Sequence, residues 1–152
     1  MGLTAFIFPG QGAQYVGMGK HLWDNYPIAR RVFERADEAL GFSISRLCFE
    51  GPEERLKETA VTQPAILTVS AAYLAVLGEM GIKADIAAGL SLGEYGALLS
   101  GDVLAEDEVI PLVHKRGTFM QEAVPLGQGA MAAILGLDAT TVEEVCYTAQ
   151  SY

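Results

Sequence analysis

The pentapeptide Gly89-Leu90-Ser91-Leu92-Gly93 carries the clearest chemical signal in the sequence. A serine between two such glycines, at the junction of a strand and a helix, is the pattern of a nucleophile elbow, a sharp turn that exposes the serine oxygen. The backbone N–H of Leu92 would then lie at the helix start, where it can stabilise an oxyanion. We therefore predict that Ser91 is the nucleophile of an acyl-transfer site. The alternative is a chance match in a chain with 17 glycines.

Two further positions would complete such a site. Gly10-Gln11-Gly12 is a loop of bare backbone, and the N–H of Gln11 is a candidate second oxyanion donor. Arg116 falls in the helix after the elbow helix, and an arginine there can hold a substrate carboxylate through a bidentate pair. Each has an ordinary structural alternative, namely a plain strand–helix turn for Gln11 and a solvated surface charge for Arg116.

Hydrophobic patterning predicts the elements that would position these residues. Apolar runs over Leu3–Phe8 and Asp85–Gly89 indicate strands, the first of them buried, and the second breaks at Ser91 into a helix over Leu92–Leu99 that Gly101 stops. An earlier helix begins at Pro27 and stops at Gly41; its predicted core face consists of Ala29, Val32, Phe33, Ala36 and Leu40.

The remaining helices differ in character. The most apolar one begins at Thr62-Gln63-Pro64 and ends at Gly81, and its composition predicts a buried central helix. A helix from Glu106 to about Glu122 contains Pro111, which is expected to kink it and to shift Arg116. A second-layer strand over Ala130–Leu135 and a last helix opened by a Thr140/Glu143 capping box complete the prediction.

This order of strands and helices is typical of an α/β fold. Only two of the predicted strands belong to the main sheet, and a parallel sheet needs both faces covered and neighbours on its edges. We therefore expect the chain to form the first part of a larger fold. Its exposed apolar surface and open sheet edge then favour self-association.

Composition narrows the function classes. The 152 residues carry a net charge of −9, which disfavours nucleic acid as a partner. The two cysteines lack metal-ligand spacing, so we expect neither a disulfide nor a metal site, and a cytoplasmic location fits. No secretory leader is visible, and the longest apolar run, Ala65–Leu77, is short and polar for a membrane span.

Taken in register, these motifs resemble the malonyl-CoA:acyl carrier protein transacylase family and the related acyltransferase domains of polyketide and fatty-acid synthases. The matching segments are Phe8-Pro9-Gly10-Gln11-Gly12-Ala13-Gln14, Thr62-Gln63-Pro64-Ala65, Gly89-Leu90-Ser91-Leu92-Gly93-Glu94-Tyr95 and Arg116-Gly117. The resemblance implies an incomplete α/β-hydrolase-like core over residues 1–126, followed at 127–152 by the truncated start of a ferredoxin-like subdomain.

The resemblance also implies an activity in fatty-acid or polyketide biosynthesis. Ser91 would take the malonyl group from malonyl-CoA and pass it to the phosphopantetheine thiol of acyl carrier protein, with no cofactor. The N–H groups of Gln11 and Leu92 would form the oxyanion hole, and Arg116 would pair with the malonyl carboxylate. Gln63 corresponds to a family glutamine near the site.

Two departures from the family pattern affect this expectation. Leu90 stands where the family usually has histidine, although the elbow itself depends on backbone geometry. The family's general-base histidine lies further downstream than this sequence extends, and we read His21 and His114 as surface residues. The chain alone is therefore expected to be weak or inactive. A serine esterase or thioesterase and a non-catalytic fragment remain the alternatives.

Overall fold

The computed structural model of the chain describes residues 2–123 and 134–150. Within them the order is strand, five helices, strand and three helices: β1 (Ala5–Phe8), α1 (Lys20–Asn25), α2 (Pro27–Leu40), α3 (Ile44–Glu50), α4 (Glu53–Leu56), α5 (Thr59–Glu79), β2 (Ile86–Gly89), α6 (Leu92–Ser100), α7 (Glu106–Ala123) and α8 (Ala139–Ala149). This is a helix-rich α/β arrangement, as predicted. The short helices α1, α3 and α4 were not predicted.

The two strands pair in parallel, with Ala5 opposite Ile86 and Phe8 opposite Gly89. Alternate residues of a strand point to opposite faces of the sheet. Phe8 is buried on one face, whereas Ile7 on the other face is 74% exposed and Ile86 is 55% exposed. The prediction that the first strand is buried is therefore right for one face and wrong for the other.

Helix α2 begins and ends as predicted. Pro27 occupies its first turn, where the missing N–H costs no hydrogen bond, and Gly41 caps its end in the left-handed conformation. Four residues of its predicted face are fully buried: Ala29, Val32, Phe33 and Ala36. Leu40, the fifth, is partly buried and packs against the same core. Cys48 lies in this core, where burial raises the pKa of its thiol to about 12.

Helix α5 is the centre of the structure, as its composition predicted. It begins at Thr59, three residues before the predicted start, and it continues through Pro64. By length and mean hydropathy (1.6) it could cross a membrane, but 67% of its apolar window is buried inside the protein. Since the core helix of a soluble protein meets the same criterion, its length and composition are weak evidence for a membrane span.

Pro64 explains a contact that the sequence reading missed. Proline has no N–H, so it cannot bond the carbonyl four residues earlier, that of Ala60. His114 Nδ1 of α7 lies 3.0 Å from this carbonyl oxygen, and the His114 ring packs on Phe42. The prediction that His114 is a surface residue is therefore wrong, because its ring bonds a carbonyl that Pro64 leaves unpaired in another helix. His21 is exposed, as predicted.

Helices α5 and α7 approach each other backbone to backbone at this point. A Cβ atom at Gly117 would lie 2.6 Å from the carbonyl oxygen of Thr59, which is too close for any side chain. The helix continues through Pro111, and Arg116, five residues further on, contacts Ser91. The close crossing holds Arg116, the residue before Gly117, near the start of α5.

The last helix, α8, begins at Ala139, and its N-cap lies two residues before the predicted cap, Thr140. Asp138 is the N-cap of α8, and its carboxylate accepts hydrogen bonds from the backbone N–H and the hydroxyl of Thr141. The first of these bonds lowers the pKa of the Asp138 carboxyl. The predicted Thr140 cap is therefore wrong, since Thr140 already lies inside the helix. The predicted strand at Ala130–Leu135 lies mostly outside the described residues, and its last two positions are not in a strand.

Candidate acyl-transfer site

Ser91 occupies a sharp turn between β2 and α6, as the elbow pattern predicted. Its backbone dihedrals are φ 54° and ψ −107°, a conformation that residues with side chains rarely adopt. Close packing on either side maintains this turn. A Cβ at Gly89 would lie 2.0 Å from the carbonyl carbon of Gly93, and one at Gly93 would lie 2.3 Å from the carbonyl oxygen of Phe8.

The turn leaves the Ser91 side chain exposed at the N-terminus of α6. The first N–H groups of a helix lack intrahelical partners, and the helix dipole places partial positive charge there. Leu92 is the first residue of α6, and its side chain is buried. Its backbone N–H is thus next to the nucleophile and on a well-fixed element.

The glycine loop after β1 lies against the elbow. A Cβ at Gly10 would be 3.1 Å from the carbonyl oxygen of Leu90, so the two backbones are in near contact. Inside the loop, the Gly12 N–H donates to Gln14 Oε1 at 2.8 Å. This arrangement brings the Gln11 backbone and the start of α6 to the same end of the two strands.

Arg116 reaches the nucleophile from α7. Its Nη2 donates to Ser91 Oγ at 3.0 Å, and its Nη1 donates to Gln63 Oε1 at 2.6 Å. The guanidinium carbon lies 5.7 Å from the centre of the Tyr95 ring, within the range of a cation–π contact. The structure therefore brings Ser91 and Arg116 together.

Both acceptors of Arg116, the Ser91 hydroxyl and the Gln63 amide oxygen, are neutral. In the parts of the chain that the structure describes, the ion pairs involve other cations: Lys20, Arg35, Arg46, Arg55 and Lys57. Arg116 keeps an uncompensated positive charge beside Ser91 in a chain of net charge −9. A bound anion would find there a charged donor in fork geometry.

The site lacks a nearby histidine. The chain contains two histidines, of which His114 faces the Ala60 carbonyl and His21 contacts Asn25. Two helical positions separate His114 from Arg116, a rotation of about 200° that directs the two side chains apart. Within residues 2–123 and 134–150, no group of three or more candidate ligands could hold a metal ion.

Several neighbours of the site were not predicted. Tyr95 belongs to the matched motif, yet its contact with Arg116 depends on how α6 and α7 pack together. Thr59 and Met120 contact Gln11 and Gln63 through their side chains. Their residue types are common in cores and turns, so the sequence alone does not single them out.

A parallel strand, a strained serine elbow and a following helix define an α/β protein built around a nucleophile elbow. Comparison with family models identifies residues 5–149 as an acyl transferase domain. The chain belongs to this family of acyltransferases.

The individual proteins that resemble this chain include several malonyl CoA-acyl carrier protein transacylases. The malonyl CoA-acyl carrier protein transacylase of Bacillus subtilis (strain 168) is 51% identical over 145 residues, which are 95% of this chain and 46% of that protein. The crystal structure of the Clostridium perfringens transacylase gives a TM-score of 0.87 at 46% identity, covering 99% of this chain and 48% of that one.

A second solved structure shows a malonyl-transacylase in complex with its type II PKS acyl-carrier protein. It gives a TM-score of 0.88 at 43% identity and covers 97% of this chain and 48% of that one. The present chain thus spans about half the length of the relatives it matches.

Proposed function

We propose that this chain carries the nucleophile, the oxyanion hole and the carboxylate clamp of a malonyl-CoA:acyl carrier protein transacylase. The observation that carries the proposal is the 3.0 Å contact between Arg116 Nη2 and Ser91 Oγ. In a malonyl thioester only one methylene separates the carboxylate from the carbonyl that reacts. A nucleophile and an unpaired guanidinium in contact therefore suit a short acyl group that ends in a carboxylate.

The proposed reaction proceeds in two transfers. Ser91 Oγ attacks the thioester carbonyl, the C–S bond breaks, and coenzyme A leaves as the malonyl-serine ester forms. The phosphopantetheine thiol of acyl carrier protein then attacks this ester, releases Ser91 and takes the malonyl group. The site groups supply binding and charge, and a cofactor has no role.

The oxyanion of each tetrahedral intermediate would lie between the N–H groups of Gln11 and Leu92. The contact between the Gly10 loop and the elbow supports this pairing. One such donor is typically worth roughly 2.7–4 kcal/mol in the transition state. The pairing of Arg116 with the malonyl carboxylate would contribute roughly 1.5–3 kcal/mol and distinguish malonyl from acetyl.

The proton of Ser91 requires a base, and the two histidines of the chain make their hydrogen bonds elsewhere, His114 to the Ala60 carbonyl and His21 to Asn25. A positioned base typically contributes roughly 10²–10⁴-fold. We therefore infer that this chain alone binds malonyl-CoA but forms the ester slowly. We further propose a cytoplasmic location and a role in fatty-acid or polyketide biosynthesis. The similarity to malonyl CoA-acyl carrier protein transacylases supports the activity and acyl carrier protein as the partner.

The proposal extends to the fold. We assign residues 1–126 to the first part of a hydrolase-like acyltransferase core and residues 127–152 to the start of a ferredoxin-like subdomain. The parallel strands and the elbow support the first assignment. The capped helix α8 supports the second.

Calorimetric titration with malonyl-CoA and acetyl-CoA tests the clamp without requiring turnover. The wild-type chain and Ser91→Ala should both prefer malonyl-CoA, whereas Arg116→Ala should lose that preference, a drop of roughly 10–150-fold. Equal affinity for both thioesters in the wild type would refute the proposed specificity.

Intact-protein mass spectrometry tests the nucleophile. Prolonged incubation with malonyl-CoA should add one malonyl group to the wild type and none to Ser91→Ala. Label on the Ser91→Ala variant would place the nucleophile elsewhere. Rapid loss of the ester to water, together with hydrolysis of neutral esters, would instead identify an esterase or thioesterase. Binding of carrier protein without any ester would identify a non-catalytic fragment.

A further inference from the structure

Gln14 is a half-buried side chain at the end of the glycine loop, and the proposed reaction does not use it. Its Oε1 accepts a hydrogen bond of 2.8 Å from the backbone N–H of Gly12. Because an N–H group only donates, this contact fixes the Gln14 amide with its oxygen toward the loop. Gly12 has a φ of 107°, in the region that favours glycine, so the bond closes a turn around the most flexible residue type.

The loop has few other contacts to hold it. Among the residues that the structure describes, positions 11–14 make no backbone–backbone hydrogen bond. Beyond its chain neighbours, no atom lies within 4 Å of where a Cβ on Gly12 would be. The remaining side-chain contacts are longer, 3.3 Å from Gln11 Nε2 to Thr59 Oγ1 and 3.5 Å from Gln63 Nε2 to Gln11 Oε1. Side chains rather than backbone pairing therefore set the conformation of this loop.

The Gln14 contact leaves one of two neighbouring donors available. The N–H groups of Gln11 and Gly12 are consecutive, and an oxyanion against this loop could meet either of them. Gly12 already donates to Gln14, whereas no acceptor in the described part of the chain pairs with the Gln11 N–H. Gln14 thus determines which amide the loop offers.

We propose that Gln14 is a positioning residue for the oxyanion hole, which binds the Gly12 N–H, fixes the loop and leaves the Gln11 N–H as its free donor. Gln14 touches no reacting atom and acts through the loop backbone. A donor that is already in place needs no reorganisation during the reaction, so the conformation of the loop affects the rate. This consequence rests on the proposed function, whereas the fixing of the loop does not.

The matched variants are Gln14→Met, Gln14→Glu and Tyr15→Phe. Methionine keeps the length and bulk of the side chain but offers the Gly12 N–H no comparable acceptor. Glutamate keeps an acceptor oxygen, and its added charge restricts its use to measurements on the loop itself. Tyr15 is the next residue and is 62% exposed, so Tyr15→Phe controls for the loss of a polar group in this segment. Thermal unfolding of each variant establishes that it is folded.

Amide hydrogen exchange, followed by nuclear magnetic resonance, tests the loop without any substrate. The Gly12 amide should exchange roughly 2–10-fold faster in Gln14→Met than in the wild type, the factor that one net hydrogen bond supplies. Gln14→Glu and Tyr15→Phe should keep the slow exchange. A Gly12 amide unaffected by Gln14→Met, or equally fast in Tyr15→Phe, would overturn the inference.

Single-turnover kinetics tests the consequence for the reaction. The rate of malonyl-Ser91 ester formation, followed by mass spectrometry at several malonyl-CoA concentrations, gives a limiting rate and a half-saturation concentration. Gln14→Met should lower the limiting rate about tenfold, a part of the roughly 10²–10³-fold that a whole oxyanion donor supplies. The half-saturation concentration should not change, because the oxyanion exists only beyond the bound ground state.

Two kinetic results would contradict the link to the oxyanion hole. One is an unchanged limiting rate in Gln14→Met, and the other is an equal fall in Tyr15→Phe. A rise in the half-saturation concentration alone would likewise show that Gln14 supports substrate binding or local structure, not the transition state.

This proposal and the proposed function fail separately. If the wild type forms no malonyl ester while Gln14→Met still speeds exchange at Gly12, Gln14 fixes the loop and the proposed function is wrong. If the wild type forms the ester and Gln14→Met changes neither the exchange nor the limiting rate, the proposed function stands and the role of Gln14 is refuted.

Discussion

Gly93 is the residue on which the elbow geometry depends most directly. A methyl group at this position would lie 2.3 Å from the carbonyl oxygen of Phe8, on a backbone that cannot move without displacing β1. We expect Gly93→Ala to destabilise the chain by roughly 3 kcal/mol or more, at the upper end of overpacking costs. Denaturant unfolding, with its midpoint and slope, measures the loss.

Gly78 provides the matched control because it lies in helix α5 with open space around its Cα. Gly78→Ala should stabilise the chain by about 0.4–1 kcal/mol, since alanine restricts the unfolded chain and favours the helix. A Gly93→Ala variant as stable as the wild type would mean that the elbow tolerates a side chain at its second glycine. The two variants are expected to change the free energy of unfolding in opposite directions. A general effect of introducing alanine therefore cannot explain both results.

The residues of the site differ in how far sequence alone could identify them. Ser91 and Gln11 could be identified as candidates from their immediate neighbours, because the glycines on either side of each indicate tight turns. Arg116 required the motifs in register, since no neighbouring residue distinguishes it from an ordinary helix-surface arginine. The role of His114 was out of reach, because it depends on a carbonyl that Pro64 leaves unpaired on another helix.

At the scale of elements, the α5–α7 crossing is held by contacts that compensate for Pro64. Replacing His114 with phenylalanine keeps a ring against Phe42 but removes the donor to the Ala60 carbonyl. We expect His114→Phe to cost about 1 kcal/mol, near the lower end of the penalty for an unsatisfied acceptor, because the Ala60 carbonyl is partly buried. Chemical denaturation of the variant measures this cost.

A double-mutant cycle tests the physical reason. Pro64→Ala restores an N–H that can bond the Ala60 carbonyl within the helix, so His114→Phe should cost much less in that background. If the two penalties simply add, His114 stabilises the crossing through packing alone. The cycle therefore separates hydrogen bonding from ring contacts at one site.

Long elements with strong patterning were predictable, and short ones were not. Helices α2, α6 and α7 follow their apolar faces and their glycine or acidic ends, so their predicted bounds agree within one or two residues. Helices α3 and α4 have only seven and four residues, too few to establish a periodicity. The early start of α5 was missed because the sequence reading began the helix at Thr62-Gln63-Pro64, whereas it begins at Thr59 and continues through Pro64.

At the scale of the whole molecule, one apolar face of the two-stranded sheet is left uncovered by the residues that the structure describes. Ile7 and Ile86 lie on that face, and Ile7 also lines an apolar cavity of about 390 Å³ between β1 and α5, together with Val69. Parallel sheets are stable when both faces are covered. We therefore expect copies of this chain to associate through the exposed face of the sheet.

The net charge of −9 determines how this association responds to salt. Two copies repel each other at low ionic strength, and added salt screens the repulsion while apolar burial is retained. The average mass measured by sedimentation should therefore rise with protein concentration and rise further in high salt. Ile7→Lys should reduce the association, because it adds a charge to the apolar face. Val103→Lys, at a position 66% exposed in the α6–α7 connection, serves as the control for charge alone. A constant monomer mass, or equal effects of the two lysines, would show that the sheet face is not the contact.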